Sequence, residues 1–264
     1  MNKFYHYTTI DTLALILKFK KLRFRRLDLV DDISETEQVK YNASTHYFVS
    51  CWTMEEKENI ALWKDRDSNM RGVRISTVSN PIQTEIIQSI DKLNKSFETP
   101  VLNGNNVILD QNLQKIYLYW HPNSRSETMD FYKMTYIDDQ GDFLKLKSEC
   151  VNENEIKQDD LVLLKKSSWR FQNEYRLIVP LQPNSDSIIY PIDPKVFFEK
   201  IIKGTCHYEY YDFKLKEEFI ENIEITLGPL CNDSDKIIVE SLLKNFTING
   251  SLFESELYRT IRSK

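Results

Sequence analysis

The sequence predicts a single α+β domain covering residues 1–264, built on a mixed, largely antiparallel sheet with flanking helices. Three observations lead there. Short runs of β-branched and aromatic residues recur along the whole chain, as strands require. Helical and strand patterns do not alternate in the regular βαβ order of a doubly wound fold. With only 6 glycines and no G-x-G-x-x-G or G-x-x-x-x-G-K-[ST] pattern, the chain lacks a glycine-rich phosphate loop, so a bound nucleotide must be held by something other than backbone amides.

Residues 3–8 read as a short strand, and Thr8-Thr9-Ile10-Asp11 as the capped start of a helix whose inner face is Ile10, Leu13, Ala14, Ile16 and Leu17. Leu27 through Glu37 reads as an exposed acidic loop leading into a short helix, and Tyr47 to Thr53 as a strand. Residues 55–66 form an irregular or helical excursion, and Gly72-Val73-Arg74-Ile75 the next strand. Ile82 to Leu93 has helical periodicity; Val107-Ile108-Leu109 and Ile116 to Trp120 read as strands, and Asp138 to Gly141 as a turn. The stretch from about residue 80 to 150 reads as an insertion in the domain that caps a cleft. Glu155 to Lys166 is expected to be helical, Ser187 to Ile192 a strand, and Pro194 a helix start. Ile223 to Leu227 is a strand stopped by Gly228-Pro229. Ser234 caps a final helix with Ile237, Ile238, Leu242 and Leu243 inward.

Composition narrows the classes. At 31.4 kDa with 41% hydrophobic residues, the chain can bury a sizeable core, and disorder is not its default. No apolar run approaches bilayer length, and Met1 to His6 lacks signal-peptide organisation, so a cytoplasmic protein with no membrane partner is expected. Cys51, Cys150, Cys206 and Cys231, like the four histidines, are too scattered for a metal centre, and no metal is expected. A net charge of -5 argues against a whole-surface grip on nucleic acid. Lys18, Lys20, Lys21, Arg23, Arg25 and Arg26 nevertheless form a run without an acidic residue: either a local phosphate-binding patch, with Phe19 and Phe24 interleaved for stacking, or a solvated helix end and strand edge.

The segment Trp169 to Val179 carries the chemistry. Read as one strand, it places Gln172, Glu174 and Arg176 on one face and Asn173, Tyr175, Leu177 and Val179 on the other. An amide, a carboxylate and a guanidinium in one row form either a site or the wet face of a half-exposed strand.

Three segments in order, His6-Tyr7-Thr8, Ser50-Cys51-Trp52 and Gln172-Asn173-Glu174, are similar to the ADP-ribosyltransferase fold. That fold has an Arg or His on its first strand, a central Ser strand and a terminal Glu preceded two positions earlier by Gln or Glu. The fuller pattern resembles an uncharacterised bacterial family related to those transferases: Tyr5-His6-Tyr7-Thr8, Phe48 to Trp52, Leu62-Trp63, Gly72-Val73, Trp169 with Glu174-Tyr175-Arg176, and Leu227-Gly228-Pro229. The resemblance spans residues 4–229 and implies a split sheet. It also implies NAD as co-substrate. Glu174 would stabilise the ribosyl cation, Gln172 would orient the acceptor, His6 would bond the adenosine-side ribose, and Ser50 would fix the nicotinamide half. Tyr7, Thr8 and Trp52 would border the NAD site, and Arg176 would touch phosphate or orient Glu174. Where related sequences often continue from the Trp with a His-Tyr pair, this chain has Lys64-Asp65-Arg66, which leaves the nicotinamide-stacking aromatic open between Tyr7 and Trp52.

The resemblance further implies a toxin or phage-defence effector restrained by a neutralising antitoxin protein. The acceptor would be DNA, RNA or, less favoured by the basic run, protein. The alternatives are an NAD glycohydrolase, which transfers to water, and a non-catalytic transferase-like domain that binds a nucleotide or a partner.

Overall fold

The computed structural model describes residues 3–67, 69–83, 107–109, 115–118, 130–152, 156–182 and 204–262. Strand β1 (Phe4–Thr8) leads into α1 (Ile10–Phe19), β2 (Lys21–Arg26), β3 (Tyr47–Thr53), α2 (Ile60–Arg66) and β4 (Val73–Thr77). Then come β5 (Val107–Leu109), β6 (Lys115–Leu118), β7 (Tyr132–Lys133), β8 (Thr135–Ile137), α3 (Gln140–Glu149), α4 (Gln158–Val162), β9 (Leu164–Lys166) and the long β10 (Glu174–Gln182). They are followed by β11 (Tyr210–Lys214), α5 (Glu217–Glu221), β12 (Glu224–Leu227), α6 (Asp233–Phe246) and β13 (Ser251–Phe253).

The main sheet runs β13-β12-β4-β1-β3-β10-β6-β5, with β2 bridging β3 and β11 and with β7 against β10. Its pairs are antiparallel except β12 with β13; a separate parallel pair joins β8 and β9. The expected class, α+β on a mixed, largely antiparallel sheet with flanking helices, is what the chain forms.

The sheet parts along one edge of β3. Phe48 and Val49 pair with Arg26 and Arg25 of β2, whereas Thr53 pairs with Tyr5 of β1. Among the described residues no strand pairs with Ser50, Cys51 and Trp52 on that edge. Beta strands 1 and 2 therefore diverge there and leave a fork.

Each face of the sheet is covered. Leu13 and Leu17 of α1 and Val239 and Leu243 of α6 pack on Phe24, Phe48, Trp52, Leu177 and Val179. Leu13 and Leu17 are wholly buried, and each such leucine contributes about 2 kcal/mol. The opposite face holds Val49 and Ile178 against Leu161 and Val162, and, beyond the fork, Tyr5 and Tyr7 against Leu62 and Trp63 of α2.

Local signals explain most termini. Thr9 caps α1 by accepting from the Thr12 amide at 3.1 Å, as the sequence predicts, and Lys20 ends it in the left-handed region at φ 52°. Gly72 and Gly228 sit back to back, the Gly228 amide donating to the Gly72 carbonyl at 2.8 Å. A Cβ on Gly72 would stand 2.4 Å from the Thr8 carbonyl oxygen, and one on Gly228 2.5 Å from that of Met70, so both positions need glycine for close approach.

Several expectations are corrected. Glu155 to Lys166 is not one helix, since α4 stops at Val162 and Leu164–Lys166 is a strand paired with β8. Asp138 to Gly141 is a helix start, with Asp139 accepting from the Asp142 amide at 2.8 Å. The last helix is capped by Asn232, which forms a capping box with Asp235, and not by Ser234. Its inward stripe is therefore Asp235, Val239 and Leu243, while Ile237 and Ile238 are 61% and 49% exposed. Phe24 is core, not a stacking platform. Most of the expected helix from Ile82, the strand from Ser187 and the helix from Pro194 lie outside the described residues.

Candidate active site

Arg176 and Glu174 of β10 stand directly opposite Cys51 and Thr53 of β3, so their side chains share one face with Tyr5 and Tyr7 of β1. The strand begins at Glu174, not at Trp169. Ser167–Gln172 is a 3-10 turn, and Asn173 takes the left-handed region at φ 39°, which breaks the expected alternation. Gln172 reaches the site all the same, because the turn folds it back beside Lys165.

Four buried charges meet there. Glu174 Oε1 accepts from Arg176 Nε at 2.6 Å and Oε2 from Lys165 Nζ at 2.8 Å. Lys165 also donates to Gln172 Oε1 at 2.8 Å and lies 3.2 Å from Glu35. Arg176 pairs with both oxygens of Glu35, at 2.7 and 2.9 Å, and donates to the Val162 carbonyl. Two carboxylates and two cations balance, which a low-dielectric interior demands. Burial by itself would raise the Glu174 pKa. The charges of Arg176 and Lys165 outweigh it and hold the carboxyl well below the usual carboxylate range. The Tyr136 hydroxyl accepts from the Glu174 amide at 2.8 Å, and burial pushes that phenol up to about 12.

His6 closes the fork from the β1 side. Its Nδ1 is 2.8 Å from the Cys51 carbonyl oxygen. A carbonyl only accepts, so Nδ1 carries the proton. Burial lowers the His6 pKa to about 4, so the ring is neutral near pH 7 and Nε2 keeps a free lone pair. Cys51 at the fork is pushed up to about 12 by burial and by Glu174, which makes it a thiol and not a nucleophilic thiolate.

Two small cavities flank this point. One of about 20 Å³ lies among Tyr5, Tyr7, Cys51, Trp52, Thr53, Leu62, Arg66, Gln172 and Glu174. The other, about 140 Å³, is lined by His6, Arg23, Arg25, Val30, Asp31, Val49, Ser50, Cys51, Arg66, Lys165, Gln172 and Arg176. Both fall below the ~300–1,000 Å³ of ordinary ligand pockets.

The sequence-predicted residues divide. Glu174, Gln172 and Tyr7 line the smaller cavity, and His6 lines the larger one, which Gln172 also borders. Arg176 is wholly excluded from water and ion-paired with Glu174 and Glu35 at the wall of the larger cavity. Ser50 and Trp52 lie with His6 on the other face of the sheet, yet Ser50 lines the larger cavity and Trp52 the smaller one, and Ser50 Oγ accepts from Trp52 Nε1 at 3.0 Å. Thr8 is buried and lines neither cavity. Of the aromatics left open for stacking, Tyr7 is on the Glu174 face and Trp52 is not.

Sequence reasoning missed Glu35, Lys165 and Arg66. Glu35 belongs to the stretch expected to be exposed, yet it is fully buried. One signal existed: Leu177, Ile178 and Val179 are all apolar, so β10 is buried on both faces and Arg176 must find a buried counter-ion. Arg66, from the Lys64-Asp65-Arg66 departure, lines both cavities and bridges Asp31 and Asp65 at 3.3 Å each.

The basic run also breaks up. Lys20 pairs with Glu217, Arg23 with Asp212 and Arg26 with Asp28, and Lys18 lies over the Phe246 ring. Among the described residues no cluster of His, Cys, Asp and Glu suits a metal, and no helix is long and apolar enough to cross a membrane. Comparison with protein-family models, with curated proteins and with solved structures gives no match for this chain.

Proposed function

We propose that this protein is an NAD-dependent ADP-ribosyltransferase whose active site is the fork between β1 and β3. The observation that carries the reading is the pair of cavities at one split in a largely antiparallel sheet, one lined by Glu174, Gln172 and Tyr7 and the other by Gln172, Ser50 and neutral His6. Cleaving the nicotinamide glycosidic bond develops positive charge on the ribose as the electron pair leaves with nicotinamide. A carboxylate held ionised near neutral pH by Arg176 and Lys165 suits that charge. His6 Nε2 accepts from a ribose hydroxyl, Gln172 orients the acceptor, and Tyr7 supplies the aromatic face. A dinucleotide exceeds both cavities, so its binding parts the lips of the fork.

By resemblance the enzyme is a toxin or phage-defence effector held in check by a neutralising protein. The test is incubation with labelled NAD and separate pools of DNA, RNA and protein, beside Glu174→Gln. Label in one pool, lost in the variant, supports transfer; free ADP-ribose supports the glycohydrolase. Wild-type and variant proteins that release equal amounts of nicotinamide sink the catalytic role of Glu174.

One observation favours a second, non-catalytic reading: both Glu174 oxygens are already paired, with Arg176 and with Lys165. Under it the protein binds NAD or another nucleotide without turnover, and calorimetry detects binding while nicotinamide release stays at background.

A further inference from the structure

The exposed face of the β2–β11 ribbon is continuous with the cleft. Its side chains on β2 are Lys21, Arg23 and Arg25, all exposed, and Arg23 and Arg25 also line the larger cavity. Directly across stand Lys214, Asp212 and Tyr210. The only acid of that row, Asp212, is neutralised by a bidentate bond from Arg23 at 2.8 and 3.0 Å. Lys21, Arg25 and Lys214 make no ion pair with any described residue, so the row presents a net positive charge despite the acidic protein.

The aromatic element comes from β11. Arg23 lies 3.6 Å above the centre of the Tyr210 ring, and Tyr210 remains 47% exposed. A guanidinium stacked on an exposed phenol is a platform for an unpaired base. Alternate residues of β2 repeat every ~6.8 Å, close to the spacing of successive phosphates along an extended single strand. Lys18 and Lys20, engaged with Phe246 and Glu217, take no part.

We propose that this strip, Lys21, Arg23, Arg25, Lys214 and Tyr210, docks single-stranded nucleic acid and delivers it to the fork as the acceptor. This rests on the transferase reading for the delivery step alone. The strip differs from a duplex reader because an exposed antiparallel ribbon with a stacking aromatic suits splayed bases, and one file of charges follows one backbone.

The test is fluorescence anisotropy with labelled 20-nucleotide single-stranded RNA and DNA and the matching duplex, without NAD, across a salt series, and with nicotinamide release measured on the same proteins. Single strands are expected to bind more tightly than duplex, with affinity falling as salt rises. Arg25→Glu combined with Lys214→Glu weakens binding by on the order of tenfold or more, and Tyr210→Ala weakens it at constant salt slope, with cooperative melts retained. Lys244→Glu, on α6, leaves affinity unchanged. Wild-type protein that releases nicotinamide but binds no strand overturns the proposal, as does charge reversal without effect or label transferred to protein alone. Strand binding without nicotinamide release upholds the strip and sinks the transferase reading instead.

Discussion

Arg176 and Glu35, separated by 141 residues in sequence, form a bidentate ion pair in which neither side chain touches water. The pair anchors the 3-10 turn Ile33–Glu35 to β10 and fixes Arg176 so that its Nε points at Glu174. Through that geometry an apparently exposed acidic loop becomes the support of the proposed catalytic carboxylate.

Removing Glu35 strands a buried cation. Glu35→Ala is expected to cost about 3–5 kcal/mol, because an uncompensated buried charge is worse than none. Glu35→Ala with Arg176→Met loses less than Glu35→Ala alone, as urea melts of both proteins will register.

Glu174→Gln removes the anion proposed to face the ribose. Nicotinamide release is expected to fall by on the order of 10²–10³ while the variant still melts cooperatively. Initial rates at saturating NAD, beside a circular dichroism melt, provide the check.

Lys165 lies between Gln172 and Glu174 and acts by positioning them. Lys165→Met takes away one cation that holds the Glu174 pKa down, so the acid limb of nicotinamide release moves to higher pH. Lys165→Arg restores it. An unshifted limb in Lys165→Met would mean that Lys165 is only packing.

His6 gives stability a pH dependence. Its folded pKa, about 4, lies below the unfolded value near 6.5. Between those values the unfolded chain takes up a proton that the folded chain refuses, so stability is full above about 6.5 and falls toward pH 4 by up to ~1.4 kcal/mol per unit. Glu174, also depressed, adds to the fall below about 4.5. Urea melts at pH 7 and pH 5 are compared for wild type and His6→Asn, which loses less.

Gly72→Ala and Gly228→Ala press a Cβ into backbone at 2.4 and 2.5 Å and should each cost about 1–3 kcal/mol. Gly141→Ala meets only the Asp139 side chain at 3.1 Å in the first turn of α3 and should be far milder. Thermal melts of the three variants rank them.

Periodicity and capping made β1, α1, β3, β4 and β12 legible, because a strand's alternation and a helix's cap lie within a few residues of each other. The row Gln172, Glu174, Arg176 was legible as a cluster but not as a strand: nothing local announces the left-handed Asn173 that turns Gln172 back to Lys165. Ile237 and Ile238 were misplaced because the helix phase is set by Val239 and Leu243, whose burial depends on α1 packing beside α6.

The chain by itself determined the α+β class and the residue types of the proposed chemistry, since both follow from short-range pattern. Only the tertiary structure decided that Glu35 and Lys165 supply the balance, that His6, Ser50 and Trp52 fall on the sheet face opposite Glu174, and that Arg23 and Arg25 reach the cleft while Lys18 and Lys20 do not. Those outcomes depend on strand register and on where β1 parts from β2, and register is fixed by contacts between residues far apart in sequence.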